Sequence, residues 1–471
     1  MAFDLHSFCP EAWSQLEIDG AGDYKLCCLA NLNKDYGYAI DENGLVMNVL
    51  THTMADALNS VTHKEHRKEL RENIQPTRCR SCYDSEIAMK AAFNRTSVGK
   101  PNDITAFDEV DPANTGWSKR MSVLTKNKKN AYVTIDQADK ITMLDGSVTE
   151  TKIVSLDLRF GNLCNYKCIM CSPVHSNLWY DDWFSIDLNG VNKYLDKDKT
   201  IFSKGANKAY ELKKDEYGRA RMEGTVAWWE SDIWWKRFEE VLPTLGMIYF
   251  TGGEPMLVPA MLECLDRVIA SGRAGQIRLR YDTNLSVINP KLIDKWKHFR
   301  GLSLCLSMDD IDERYNLIRF PGNYDNFVRN IKILQKNNVP IHKTTCCIGI
   351  ASIYTMKRVL DASIDLGINT TFRFLEGPTW LDIRALPKAA KYEIIVNLLK
   401  MDGSRVHKMW YNSEVEILRK YFDAEDRAKT TNFVRIMTIL DQSRNTDWKT
   451  TLPDVYDLLN RHCPEAFKTN I

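Results

Sequence analysis

The chain has 471 residues, a length that suits about three domains of roughly 150 residues each, and its 44% hydrophobic content can fill a sizeable core. Lysine and arginine number 63 against 62 aspartate and glutamate, for a net charge of +1, so no global field draws the chain to a polyanion and nucleic acid is not an expected partner. The sequence opens without a basic segment and apolar stretch, and no apolar run could span a bilayer; this reads as a cytoplasmic protein with no membrane association, in which thirteen cysteines argue for metal or cluster ligation over disulfides.

In chain order, residues 13–18 alternate as a strand, 19–23 form a glycine-rich turn and 24–29 return, a hairpin expected to bring Cys9 near Cys27 and Cys28. Polar helical patterns at 54–60 and 63–73 follow, and CRSC then sets Cys79 and Cys82 with two residues between them. Two local pairs of thiols suit a structural zinc site or an iron–sulfur cluster. Residues 91–150 show no sustained period, and the basic run at 118–130 reads as a solvated loop, so this stretch is expected to bridge two modules.

Residues 156–173, LDLRFGNLCNYKCIMCSP, place Cys164, Cys168 and Cys171 at CxxxCxxC directly after a strand-like segment. Three thiolates can hold three irons of a [4Fe–4S] cluster, whereas electron carriers use four cysteines; one iron would stay open to a ligand. The same spacing also stacks on one helix face, but Gly161, Asn162, Asn165 and Pro173 interrupt a helix there.

From residue 153 the pattern alternates strand and helix, the mark of a parallel α/β sheet or barrel. Strands are expected at 153–160, 247–251, 276–282, 301–307, 342–349 and 369–374, with helices at 260–271, 291–299, 325–337 and 355–366. Six strands fall short of a closed eight-stranded barrel. Chemistry in such folds gathers where strands end, and here they end in Gly252-Gly253-Glu254, in Thr283-Asn284, and in Ser307-Met308-Asp309. Each also fits a bland role as a turn or a cap of the next helix. An insertion at 176–245 carries Trp179, Trp183, Trp228, Trp229, Trp234 and Trp235; these could grip an extended peptide, but packing of a helix at 232–242 explains them better. Cys264, Cys305, Cys346, Cys347 and Cys463 read as packing. From 386 the chain reads helical, with Ser413 and Glu416 as a capping box.

The cysteine loop and the strand ends resemble the radical S-adenosylmethionine (SAM) superfamily. The resemblance implies a partial (β/α)6 TIM-like barrel over roughly 155–378 and a catalytic [4Fe–4S] cluster on Cys164, Cys168 and Cys171. It implies that the open iron chelates the amino and carboxylate groups of SAM, and that one electron then yields a 5′-deoxyadenosyl radical that takes hydrogen from a substrate. Gly252, Gly253 and Glu254 match the motif for the SAM amino group, and Thr283, Asn284, Ser307 and Asp309 match positions for its carboxylate and ribose. Met170 stands where an aromatic residue is usual and can still pack on adenine. Arg319, in NLIRFPGNY, is placed to pair with a carboxylate or to make a surface ion pair.

Cys9, then Gly22 and Cys27 with four residues between them, then the CxxC, resemble the auxiliary module called SPASM or, when shorter, twitch, here placed before the barrel. This implies a second [4Fe–4S] cluster on Cys9, Cys27, Cys79 and Cys82, with Cys28 spare and zinc as the alternative. The expected α/β architecture is therefore a cysteine module at 1–100, a bridge at 101–150, the barrel at 151–378 and a helical region at 379–471. Enzymes with such modules mostly modify peptides, so a peptide or protein side chain is the implied substrate and a flavodoxin or ferredoxin type of protein the external electron donor. The alternatives are a nucleoside or small molecule, or a non-catalytic iron–sulfur or zinc protein.

Overall fold

Alternating apolar and polar residues along the strands from 155 onward give a sheet with one greasy face and one polar face. The computed structural model describes residues 7–30, 37–84, 86–87, 133–188, 201–204, 208–223, 226–375, 377–400 and 418–468. Its strands are β1 (Gln15–Ile18), β2 (Tyr24–Lys25), β3 (Ser155–Arg159), β4 (Ile201–Lys204), β5 (Lys208–Lys214), β6 (Ala220–Glu223), β7 (Met247–Thr251), β8 (Arg278–Thr283), β9 (Gly301–Ser307), β10 (Ile341–Ile348) and β11 (Thr370–Phe374). The main sheet runs β11-β10-β9-β8-β7-β3-β1-β2. The strands from β3 to β11 in that order pair in parallel, as the six expected barrel strands do.

On one face Leu156, Leu158, Ile248, Phe250, Leu279, Tyr281, Leu304 and Leu306 are fully buried. They share a core with the inward stripes of helices Pro259–Ala270, Pro290–Trp296, Tyr324–Lys336 and Met356–Asp365. Asn289 accepts from the Lys291 amide at 3.0 Å and caps the helix that Pro290 opens. The other face carries Asp157, Arg159, Tyr249, Arg280, Asp282 and Lys343 and lines the barrel interior.

The N-terminal segment departs from a free hairpin. Trp13 belongs to a short helix, Glu11–Ser14, and the hairpin with β2 holds only two residue pairs. β1 instead lies parallel to β3, with Gln15 opposite Ser155 and Ile18 opposite Leu158. Leu16 and Ile18 are fully buried there, and β1 covers what would be an open edge of the barrel sheet. The helices Met54–Leu58 and Val61–Arg71 are those expected, within a residue or two of each end. The basic run at 118–130 lies outside the described residues, whereas Ile135–Ile141 forms a helix that sequence reading missed, with Thr134 and Gln137 as its capping box.

The insertion adds helix Trp179–Leu188 and an antiparallel sheet of β4, β5 and β6, which its charged sequence did not signal. Trp179, Trp228 and Trp234 are fully buried, and Trp228 and Trp234 meet edge to face at 4.8 Å, so the tryptophans pack the core. The C-terminal region is helical, including Lys388–Leu399, Arg427–Arg444 and Pro453–His462; Ser413 and Glu416 lie outside the described residues. Among the described residues no helix is long and apolar enough to cross a membrane.

Candidate active site

The cysteine loop leaves β3 without regular structure, and backbone bonds fix it on two sides. Lys167 and Ile169 amides donate to the carbonyls of Phe320 and Ile318 at 2.6 and 2.8 Å, and the Glu254 amide donates to the Leu163 carbonyl at 2.8 Å. Gly253 makes that last approach possible, since a Cβ there would stand 2.1 Å from the Leu163 oxygen. The second glycine of the motif thus serves the cysteine loop directly. Cys168 is buried, with Cys164 and Cys171 partly exposed. The indole of Trp179 holds the Cys168 carbonyl at 2.9 Å.

The thiols are electrostatically unequal. Burial pushes Cys164 up to about 12. Cys171 is pushed well up, first by its hydrogen bond to Cys168 and then by burial. That same bond, helped by Arg319, lowers Cys168. Arg319 Nη1 stands 3.7 Å from the Cys168 sulfur. Three soft sulfurs on a pinned loop, two of them resisting ionisation without a cation, fit a three-cysteine iron–sulfur cluster.

The strand ends brace this loop. Glu254 is almost wholly buried, and its carboxylate accepts from Thr283 Oγ1 at 2.7 Å, the Asn284 amide at 2.7 Å and the Met256 amide at 3.1 Å. Burial raises its pKa against those bonds. Asn284 donates to Asn165 Oδ1 at 3.1 Å and faces the Cys164 sulfur at 3.9 Å. Asp309 is fully buried; it accepts from Arg319 Nε at 2.7 Å and from the Cys347 amide at 2.7 Å. Arg319 is therefore in a buried ion pair, and the surface pairing considered for it is excluded. Ser307 ends β9 half-buried, opposite Thr345, and Met170 packs partly buried against the core.

Several polar residues of the interior escaped sequence reading. Arg159 pairs with Glu17 at 2.9 Å, and the Tyr249 hydroxyl donates to Asp282 while Arg280 lies over the Tyr249 ring at 4.3 Å. Lys343 sits opposite Cys305, itself opposite Asp282, and burial lowers Lys343 to about 8. Their signal was the polar half of each strand's period of two. Cys264, Cys346 and Cys463 are buried, as packing predicts, but Cys347 is partly exposed beside Asp309 and Arg373.

At the N-terminal end, burial first, then the neighbouring Cys9 and Cys82, push the Cys79 thiol well up. His66 Nε2 lies 3.9 Å from the Cys79 sulfur. Cys27 accepts from the Leu29 amide at 3.3 Å, and Cys28 is close enough to act on Arg159 and Arg280. Gly22 has φ of +81°, and a Cβ there would meet Trp228 at 2.9 Å, which ties the glycine of the module motif to the insertion's aromatic core. Among the described residues no group of three or more His, Cys, Asp or Glu side chains stands ready to hold a single metal ion.

Residues 232–359 match the family described as the radical SAM superfamily, a match that begins within the insertion and does not include the cysteine loop. Among solved structures, anSMEcpe with bound AdoMet is similar at 17% identity, over 52% of this chain and 57% of its own, with a TM-score of 0.34. Streptococcus suis SuiB bound to S-adenosylmethionine is similar at 13% identity, over 72% and 61%, with a TM-score of 0.31. SuiB bound to its precursor peptide SuiA gives 12% identity, over 67% and 57%, with a TM-score of 0.32. The match thus spans less than two thirds of each of these proteins. No curated protein matched the chain.

Proposed function

We propose that this chain uses SAM, bound at a [4Fe–4S] cluster on Cys164, Cys168 and Cys171, to abstract hydrogen from a peptide or protein side chain. The observation that carries the reading is the loop itself, which presents three sulfurs at CxxxCxxC and is tied by Gly253, Asn284 and Arg319 to the ends of the barrel strands. When bound, the cluster supplies the electron that splits the SAM sulfonium into methionine and a 5′-deoxyadenosyl radical.

The chain's own groups do the positioning. The Glu254 carboxylate is engaged by Thr283, Asn284 and Met256, with a single donor on Oε2, so Oε2 and the backbone carbonyls of the Gly252–Gly253 turn would receive the SAM ammonium. Thr283 and Asn284 hold that turn and the loop together, Ser307 offers a hydroxyl to the ribose, and Met170 packs on adenine. Asp309 orients Arg319, whose guanidinium favours thiolate at Cys168. A second cluster on Cys9, Cys27, Cys79 and Cys82 would supply an electron sink for product formation. Its domain boundaries follow the sequence reading, and a flavodoxin or ferredoxin type of protein in the cytoplasm would deliver the first electron.

The test is anaerobic. Reconstituted, dithionite-reduced protein given SAM should release 5′-deoxyadenosine and methionine, and Cys171→Ala should release neither. A wild-type protein that yields no 5′-deoxyadenosine, or a Cys171→Ala protein that yields as much, overturns the reading.

A further inference from the structure

We propose that His66 is a positioning residue of the N-terminal centre, donating a hydrogen bond from Nε2–H to the Cys79 sulfur and so raising the reduction potential of the cluster held there. The inference rests on the reading of that centre as a [4Fe–4S] cluster.

His66 lies on helix Val61–Arg71 with 1% of its surface exposed. Its Nε2 faces the Cys79 sulfur at 3.9 Å, and its Nδ1 is buried without a hydrogen-bond partner. A neutral ring carries one N–H. On Nδ1 that hydrogen would be a buried donor with no acceptor; on Nε2 it has the sulfur. A protonated ring also bears hydrogen on Nε2, so the donation does not depend on the ring's charge.

Neither partner has freedom to turn away. Arg67, next on the helix, is fully buried and donates to the carbonyls of Ala12, Leu58 and Gly146 at 3.0, 2.6 and 3.0 Å. Cys79 closes a turn, Thr77–Cys79, in which its amide donates to Pro76 at 2.9 Å, and the buried Arg78 donates to Thr62 at 3.1 Å. A rigid N–H aimed at a ligating sulfur draws charge from it, which favours the reduced cluster.

The test uses the full chain with Cys164, Cys168 and Cys171 all changed to alanine, so that only the N-terminal cluster is read. His66→Leu should keep the iron content of this parent and titrate at a lower midpoint potential; His66→Gln, which returns an N–H at similar reach, should restore the potential. Equal potentials in parent and leucine variant, or loss of iron from the leucine variant while the glutamine variant also loses it, overturn the proposal. A second measurement needs no His66 variant: with 15N-histidine in the reduced parent, a weak nitrogen coupling and an exchangeable proton at the cluster are expected. Strong coupling would make His66 a ligand, and none would remove it from the centre; either overturns the proposal. A parent that takes up zinc and no iron overturns the cluster reading itself, and the proposal with it.

Discussion

Arg319 and Asp309 form a buried ion pair, Nε to Oδ2 at 2.7 Å, whose guanidinium also stands 3.7 Å from the Cys168 sulfur. Removing one partner leaves a buried charge uncompensated, which costs about 3–5 kcal/mol. Arg319→Met should therefore lower unfolding free energy by that order, and Arg319→Met with Asp309→Leu should recover part of the loss. Urea denaturation of the three proteins measures this.

Gly253→Ala should expel the cysteine loop from its place, because a Cβ would stand 2.1 Å from the Leu163 carbonyl oxygen. The expected result is loss of most of the iron at the three-cysteine site. Gly275→Ala, with nothing within 4 Å of the added carbon, should keep its iron. Iron and sulfide analysis of the two variants decides it.

Lys343 carries a pH signature. Burial lowers its folded pKa to about 8 from the 10.5 usual for a lysine, so between those values the unfolded chain binds more protons and this group's contribution to stability rises with pH. Below about 8 both states are protonated and the burial penalty is constant. Lys343→Met should thus be more stable than wild type at pH 7, by on the order of 1–3 kcal/mol, with the gap narrowing towards pH 10. Urea midpoints at pH 7 and pH 9.5 check the trend.

Asp182 joins three elements: Lys167 of the cysteine loop at 2.8 Å, its own helix, and Arg444 of the C-terminal helix at 2.8 Å. Arg444 also lies over the Trp179 ring at 4.7 Å. Arg444→Met should cost about 1–3 kcal/mol and speed removal of iron by a chelator, because the brace on Lys167 weakens. Chelation kinetics followed by absorbance would show it.

The six parallel strands and their helices were legible because Leu156 and Leu279 alternate with polar neighbours and the helices repeat at three and four residues. The cysteine loop was legible from spacing alone. What Glu254 and Asp309 do was not: a sequence shows a carboxylate at a strand end, but only the fold shows that its oxygens are already held by Thr283 or Arg319. The seat of β1 also escaped, since four residues at 15–18 say nothing of a partner strand so far along the chain. β4–β6 were hidden by charge, as in KAYELKK of β5.

The in-register seat of β1 beside β3 bears on the order of assembly. Gln15 donates to Asp157 at 3.0 Å across 142 residues of sequence, so as the chain is made its first strand must wait, with the edge away from β2 bare, until the third has been synthesised. Contacts this distant slow folding and leave an early segment rich in thiols open to oxidation or stray metals. Production at low temperature with iron supplied throughout synthesis should therefore yield more intact protein than metal loading after purification.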